Sequence, residues 1–191
     1  MVNLKKLHEE INSCTKCNLC KTRTKAVPGC GGGEIGIMLI GEGPGKSEDL
    51  KGEPFVGAAG KFLDELLSEI NLKREDVFIT NVVKCRPPGN RDPKEEEIQI
   101  CRSYLEEQIK QLKPKLIVTL GRHAMHRFLP NDLKISKVHG RAKRYKGITG
   151  DKQVYYPMYH PAVALYNGSY RDILKQDIKK IPKILEKIKE L

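Results

Sequence analysis

Residues 36–45 read Gly36-Ile37-Met38-Leu39-Ile40-Gly41-Glu42-Gly43-Pro44-Gly45. Gly36 to Ile40 is a short β-like run that breaks at once into a glycine-rich turn. Three further runs share that character: Val77 to Asn81, Leu116 to Leu120 and Val154 to Tyr159. Stretches of helical periodicity flank them. Ala58 to Ile70 sets Phe62, Leu63, Leu66, Leu67 and Ile70 on one face, and Glu95 to Leu112 does the same with Ile98, Cys101, Leu105, Ile109 and Leu112. Leu4 to Ile11 reads as a short first helix. The last helical stretch repeats Leu174, Ile178, Ile181, Leu185 and Ile188, with a kink expected at Pro182.

Strands alternating with helices predict an α/β fold of three layers, with a central, mostly parallel four-stranded sheet covered on both faces. No internal repeat or low-complexity linker divides the chain, so residues 1–191 are expected to form a single domain. Ligands of such sheets gather outside the carboxyl ends of the strands. The four runs end in Gly41-Glu42-Gly43-Pro44-Gly45, Asn81-Val82-Val83-Lys84-Cys85-Arg86-Pro87-Pro88, Gly121-Arg122-His123 and His160-Pro161-Ala162. Glu42, Asn81 and His160 are thereby expected at one crevice. Taken singly, each motif has a plainer explanation. The glycine loop is neither a P-loop nor a dinucleotide fingerprint and serves equally as a tight strand-to-helix turn. Asn81 suits a cap, and His160 suits a satisfied structural histidine.

Charge and cysteines narrow the partners. Thirty-five Lys and Arg against 24 Asp and Glu leave +11, which favours a polyanion without naming one. Seven of these cations fall between Lys134 and Lys152, including Arg141, Lys143 and Arg144. Arg86, Arg91 and Lys94 lie beside the loop after the second run. A charge run is ordinarily a solvated face; adjacency to the crevice makes it a candidate phosphate track. The longest apolar runs are far below a membrane span, and Met1 to Glu10 lacks the apolar stretch of a signal peptide, so no membrane partner and a cytoplasmic location are expected. Six cysteines without a secretory signal argue against disulfides and leave metal ligation, catalysis or ordinary buried thiols; three of them within seven residues, Cys14, Cys17 and Cys20, favour ligation. Spacing alone allows two sets: Cys14, Cys17, Cys20 and Cys30, or Cys14, Cys17, Cys85 and Cys101. It does not separate zinc from an iron–sulfur centre.

Together the segments Gly41 to Gly45, Gly52-Glu53-Pro54-Phe55-Val56-Gly57, Thr80 to Pro88 and His160-Pro161-Ala162 resemble the family-four uracil-DNA glycosylases, the iron–sulfur type of archaea and thermophilic bacteria. The resemblance runs from Cys14 to beyond His160. It implies removal of uracil from single- or double-stranded DNA by hydrolysis of the N-glycosidic bond. It also implies a [4Fe–4S] cluster on Cys14, Cys17, Cys85 and Cys101, with Cys20 and Cys30 as extras. Phe55 becomes the aromatic shelf under a flipped base, and Asn81 the reader of its edge. Glu48, or the backbone near Gly45, becomes the wall against thymine's methyl. Gly41 and Gly45 frame the base, while His160 and the loop N–H groups stabilise the leaving uracil anion. Better-known uracil glycosylases carry an Asp at the position of Gly43; here Glu42 is the candidate for positioning the water. Arg86, Arg91, Arg141, Lys143 and Arg144 are the candidate DNA contacts. A prokaryotic, nucleoid-associated monomer is expected, with a sliding clamp as a candidate partner. Two other functions compete: a non-enzymatic zinc or iron–sulfur nucleic-acid-binding module, and a glycosylase shifted toward a base such as hypoxanthine.

Overall fold

The computed structural model describes residues 4–189; residues 1–3 and 190–191, the ends of the expected 1–191 domain, lie outside it. The chain runs α1 (Lys5–Asn12), β1 (Ile37–Gly41), α2 (Lys46–Lys51), α3 (Ala58–Ser68), β2 (Phe78–Asn81), α4 (Glu95–Leu112), β3 (Leu116–Leu120), α5 (Arg122–Met125), α6 (Ile135–Val138), β4 (Lys143–Lys146), β5 (Lys152–Met158), α7 (Val163–Tyr166), α8 (Ser169–Ile178) and α9 (Ile181–Lys189). One sheet takes the order β2-β1-β3-β5-β4; every pairing is parallel except β4 with β5.

Alternate residues of each strand enter opposite layers, as a pleated strand requires. Met38 and Ile40 pack with Leu7, Ile11, Tyr104, Leu105 and Ile109 under α1 and α4. Ile37 and Leu39 pack with Phe62, Leu63, Leu66, Leu174 and Ile178 under α3 and α8. β1, β2 and β3 are buried throughout, which is why they read as continuous apolar runs.

Two expectations change. The sheet has five strands rather than four, because the basic segment Lys143–Lys146 adds itself antiparallel to β5. Its alternation of half-buried Lys143 and Tyr145 with exposed Arg144 and Lys146 is that of an edge strand. Lysine and arginine on an edge block pairing with another chain, which accounts for part of the charge run. The kink at Pro182 is instead a new helix: α8 ends at Ile178 and Pro182 is the second residue of α9, where its missing N–H is not needed. Since β1 leads outward to β2 in one direction and β3 lies on its other side, the chain turns over the sheet between β1 and β3, the place where such sheets hold ligands.

Candidate active site

A crevice of about 360 Å³ opens there, with Glu42, Gly43, Phe55, Asn81 and His160 among the residues on its walls. The residues that the sequence assigned to one site are therefore together. Gly41, the last residue of β1, shows why glycine stands there. A Cβ at that position would lie 2.4 Å from Asn81 Oδ1 and 2.7 Å from the Phe55 ring, so no other residue lets all three meet. Asn81 is almost wholly buried. Among the described residues, nothing hydrogen-bonds its side-chain amide, whereas its backbone carbonyl accepts from Lys84 Nζ at 2.8 Å. Lys84 is itself buried and donates also to Thr80 Oγ1 and Gln108 Oε1, at 2.6 and 2.7 Å. Burial pushes the Lys84 amine down to about 7, yet its three acceptors fix the end of β2 in either protonation state and leave the Asn81 amide free for a ligand.

Phe55 forms the floor in an unusual conformation. Its φ is +52°, a left-handed geometry that costs a non-glycine residue about 1–3 kcal/mol unless the surroundings enforce it. Arg74 enforces it, donating from Nη1 to the Phe55 carbonyl and to Asp64, each at 2.8 Å, and from Nη2 to the Pro54 carbonyl. Gly60 lies beneath; a Cβ there would strike the Phe55 carbonyl oxygen. Glu48 holds the other side, its Oε1 accepting from the N–H groups of Val56 and Gly57, both at 2.9 Å. Glu48 is on the crevice wall, but one carboxylate oxygen is thus engaged with the protein's own loop. Arg74 and Lys84 were not legible as site residues, because a cation in a strongly basic sequence reads as solvated.

His160 stacks beside Phe55, with ring centroids 5.5 Å apart and planes inclined by 28°. Burial pushes its pKa down to about 4, with Glu48 acting weakly in the other direction. The ring is therefore neutral, and the Ala162 N–H donating to Nδ1 at 3.2 Å places its proton on Nε2. Glu42 behaves oppositely: burial first, then the Asp92 charge, raise its carboxyl to about 7 against Arg122 and Arg127. The turn after β3, Gly121-Arg122-His123, also reaches the site. His123 Nδ1 is 3.6 Å from Glu42 Oε1, and His123 Nε2 is 3.3 Å from Asp92 Oδ2.

The basic candidates separate. Arg91 donates to Glu97 from both terminal nitrogens, at 2.9 and 2.6 Å, and so fastens the proline-rich loop to α4. Arg86 Nε donates to Asn90 Oδ1 at 2.7 Å. Arg141 is exposed at the crevice end of the edge strand, and Lys143 pairs in register with Tyr155; Lys146, opposite Lys152, is at the far end.

Cys14, Cys17, Cys20, Cys85 and Cys101 line one chamber between α1, the loop after β2 and α4. Cys30 does not. It forms an antiparallel bridge with Ile79 at the outer side of β2, so the set Cys14, Cys17, Cys20 and Cys30 is not assembled. Arg23 Nη1 donates to Cys85 Sγ at 3.0 Å, and the Lys84 N–H to Cys101 Sγ at 3.3 Å. Burial raises the thiols of Cys17, Cys101 and Cys85, the last to about 11. This donor set, all sulfur and partly supplied with N–H donors, fits a soft metal centre.

A family model described as the uracil DNA glycosylase superfamily matches residues 28–186, which hold the whole sheet and crevice. The chain belongs to that superfamily. Within it, the chain is 50% identical to the "Type-4 uracil-DNA glycosylase" of Sulfurisphaera tokodaii, over 95% of this chain and 84% of the relative. It is 49% identical to the protein of that name from Saccharolobus solfataricus, over 97% and 88%, and 43% identical to that of Thermotoga maritima, over 94% and 93%. Among the described residues, no helix is long and apolar enough to cross a membrane.

Proposed function

We propose that this member of the superfamily is a DNA-repair hydrolase that flips uracil out of DNA and cleaves its N-glycosidic bond, leaving an abasic site. The observation that carries this most directly is the meeting of Asn81, Phe55 and a neutral His160 around Gly41. Flipping costs a few kcal/mol of stacking and pairing, offset by phosphate contacts and by the pocket itself. The freed base lies on the Phe55 ring. Asn81 donates from its amide nitrogen to uracil O4 and accepts from N3–H, a polarity that cytosine reverses. Glu48 and the backbone near Gly45 crowd C5 and exclude thymine.

The glycosidic electrons leave with uracil, as negative charge on N1 and O2, while positive charge builds on the sugar. His160 Nε2–H donates to O2; one such donor is typically worth about 3 kcal/mol. Glu42 holds the water whose oxygen bonds to C1′ as the C1′–N1 bond breaks, and its carboxylate takes the water's proton. Gly43 lines the crevice next to Glu42, and a Cβ there would lie 2.9 Å from Val83 Cγ2, so glycine keeps this part of the loop against the end of β2. Cys14, Cys17, Cys85 and Cys101 would hold a [4Fe–4S] cluster, which supplies a structural staple rather than a chemical step. Held by these four cysteines, it would tie the segment after α1 and α4 to the loop carrying Arg86 and Arg91. Arg86, Arg141, Lys143 and Arg144 follow the phosphates, and Arg91 holds the loop between them. The domain acts as a monomer, one crevice serving one nucleotide.

The test is a set of oligonucleotides containing uracil, hypoxanthine, thymine or cytosine at one position, treated with the protein and then with alkali. Strand cleavage at uracil alone is expected. Cleavage mainly at hypoxanthine would establish the shifted-base alternative, and binding without any cleavage the non-enzymatic one.

A further inference from the structure

We infer that His123 is a positioning residue for the reaction, turning a hydrogen-bearing Nδ1 toward Glu42 and, with Asp92, setting the charge of that carboxylate. The inference rests on the role proposed for Glu42 as holder of the water.

Two groups meet His123 Nε2: Arg122 Nε, which donates to it at 3.1 Å, and Asp92 Oδ2 at 3.3 Å. With the shorter Arg122 contact in place the neutral ring carries its proton on Nδ1, which faces Glu42 Oε1 at 3.6 Å. Protonation of the ring leaves that hydrogen in place and adds one toward Asp92. In both states His123 presents an N–H to Glu42, close enough for a hydrogen bond after a small side-chain movement. One carboxylate oxygen each of Glu42 and Asp92 and one ring nitrogen of His123 all lie within 4.8 Å of one another. They surround a small cavity of about 160 Å³ that opens beside the main crevice and shares Glu42 with it.

The groups facing Glu42 come from three elements. The turn at β3 and α5 brings His123, Arg122 and Arg127; the proline-rich loop brings Asp92; the start of α4 brings Glu95, which Arg127 pairs at 2.9 Å. Arg127 is thus partly neutralised, and after burial the Asp92 charge is what most opposes ionisation of Glu42. A water-holding carboxylate must be ionised to accept a proton. His123 favours that form and Asp92 disfavours it, so their removal acts in opposite directions. A merely structural pair would not produce opposite signs.

The experiment measures single-turnover excision of uracil against pH for the wild type, Glu42→Gln, His123→Ala, His123→Gln and Asp92→Asn, with chelator present because the same three groups suit a divalent cation. Uracil-DNA affinity and thermal unfolding are recorded for each. His123→Ala is expected to move the acid limb to higher pH, Asp92→Asn to move it lower, and His123→Gln, which retains an N–H, to restore part of the wild-type profile. Affinity stays within about twofold. Superimposable profiles in the His123 and Asp92 variants, or shifts of one sign, with Glu42→Gln inactive, would overturn the inference alone. A Glu42→Gln enzyme that keeps the wild-type rate would instead overturn the role of Glu42 on which it rests.

Discussion

Arg74 Nη1 lies 2.8 Å from the carbonyl oxygen of Phe55, and that contact holds the aromatic floor of the crevice in a left-handed conformation. Two residues 19 apart in sequence are thereby one device. Arg74 comes from the 3₁₀ turn before β2, and Asp64 on α3 orients it. Removing Arg74 leaves two loop carbonyls without their donor and lets the Phe55 backbone relax. Arg74→Ala is expected to lower excision kcat/KM about tenfold or more and stability by about 2 kcal/mol, on the scale of hydrogen bonds to a charged group. Arg74→Lys should recover stability better than rate, because one ammonium does not span both carbonyls. Single-turnover kinetics beside denaturant unfolding measure both; an unaffected rate would detach Phe55 from catalysis.

His160 gives a pH dependence with a definite sign. Its pKa in the folded protein is near 4, below the ordinary 6.5, because burial disfavours the charged ring. The unfolded chain therefore takes up this proton first as pH falls. Stability is full above about pH 6.5 and declines progressively toward pH 4. His160→Gln should flatten this part of the profile and reduce excision by about 100-fold. Urea unfolding midpoints between pH 4.5 and 7.5 check the first, and a profile as steep as the wild type would contradict it.

The strands were legible because each is apolar and bounded by a turn; Leu116–Leu120 and Glu95–Leu112 match their sequence expectations residue for residue. β4 was not, since Lys143-Arg144-Tyr145-Lys146 carries no apolar signal. Its strand character comes from pairing with β5, and its charge suits an edge. Glu42, Asn81 and His160 were legible as strand-end residues. Arg74 and Lys84 were not, because their work depends on acceptors supplied by distant residues, such as the Pro54 and Phe55 carbonyls and Gln108. His123 stood at a strand end too, but its value lies in Asp92, which arrives on a loop from another part of the chain.

The shared chamber of Cys14, Cys17, Cys20, Cys85 and Cys101 distinguishes the cysteines. After anaerobic purification, Cys85→Ser and Cys101→Ser are expected to lose iron and weaken DNA binding. Cys30→Ser, placed at the outer side of β2, keeps both. Cys20 shares the chamber, but on the proposed set of Cys14, Cys17, Cys85 and Cys101 its change to Ser is expected to retain iron. Iron content and absorbance near 400 nm read the outcome. Loss of iron in Cys30→Ser would contradict the assignment, and zinc in place of iron would replace the cluster with a mononuclear site.

Replacing Arg141, Lys143 and Arg144 with Ala should make the salt dependence of DNA affinity shallower. Each phosphate contact contributes about −0.9 to the slope of log affinity against log salt on duplex DNA. Arg91→Ala acts differently: it frees the loop from Glu97 and should lower stability more than it changes the slope. An unchanged slope in the triple variant would leave the edge strand with only its structural role.

Single-turnover excision of uracil by the wild type and by Asn81→Asp, side by side on one oligonucleotide, tests the central claim most directly. The substitution is nearly isosteric and leaves the Lys84 contact to the Asn81 backbone intact, but it turns the amide nitrogen proposed to donate to uracil O4 into an acceptor. The wild type is expected to convert uracil to an alkali-labile abasic site, and Asn81→Asp to lose at least about 100-fold of that rate while holding its iron and its unfolding midpoint. Equal rates in the two proteins would contradict the account, because the crevice would then be cleaving uracil without reading it.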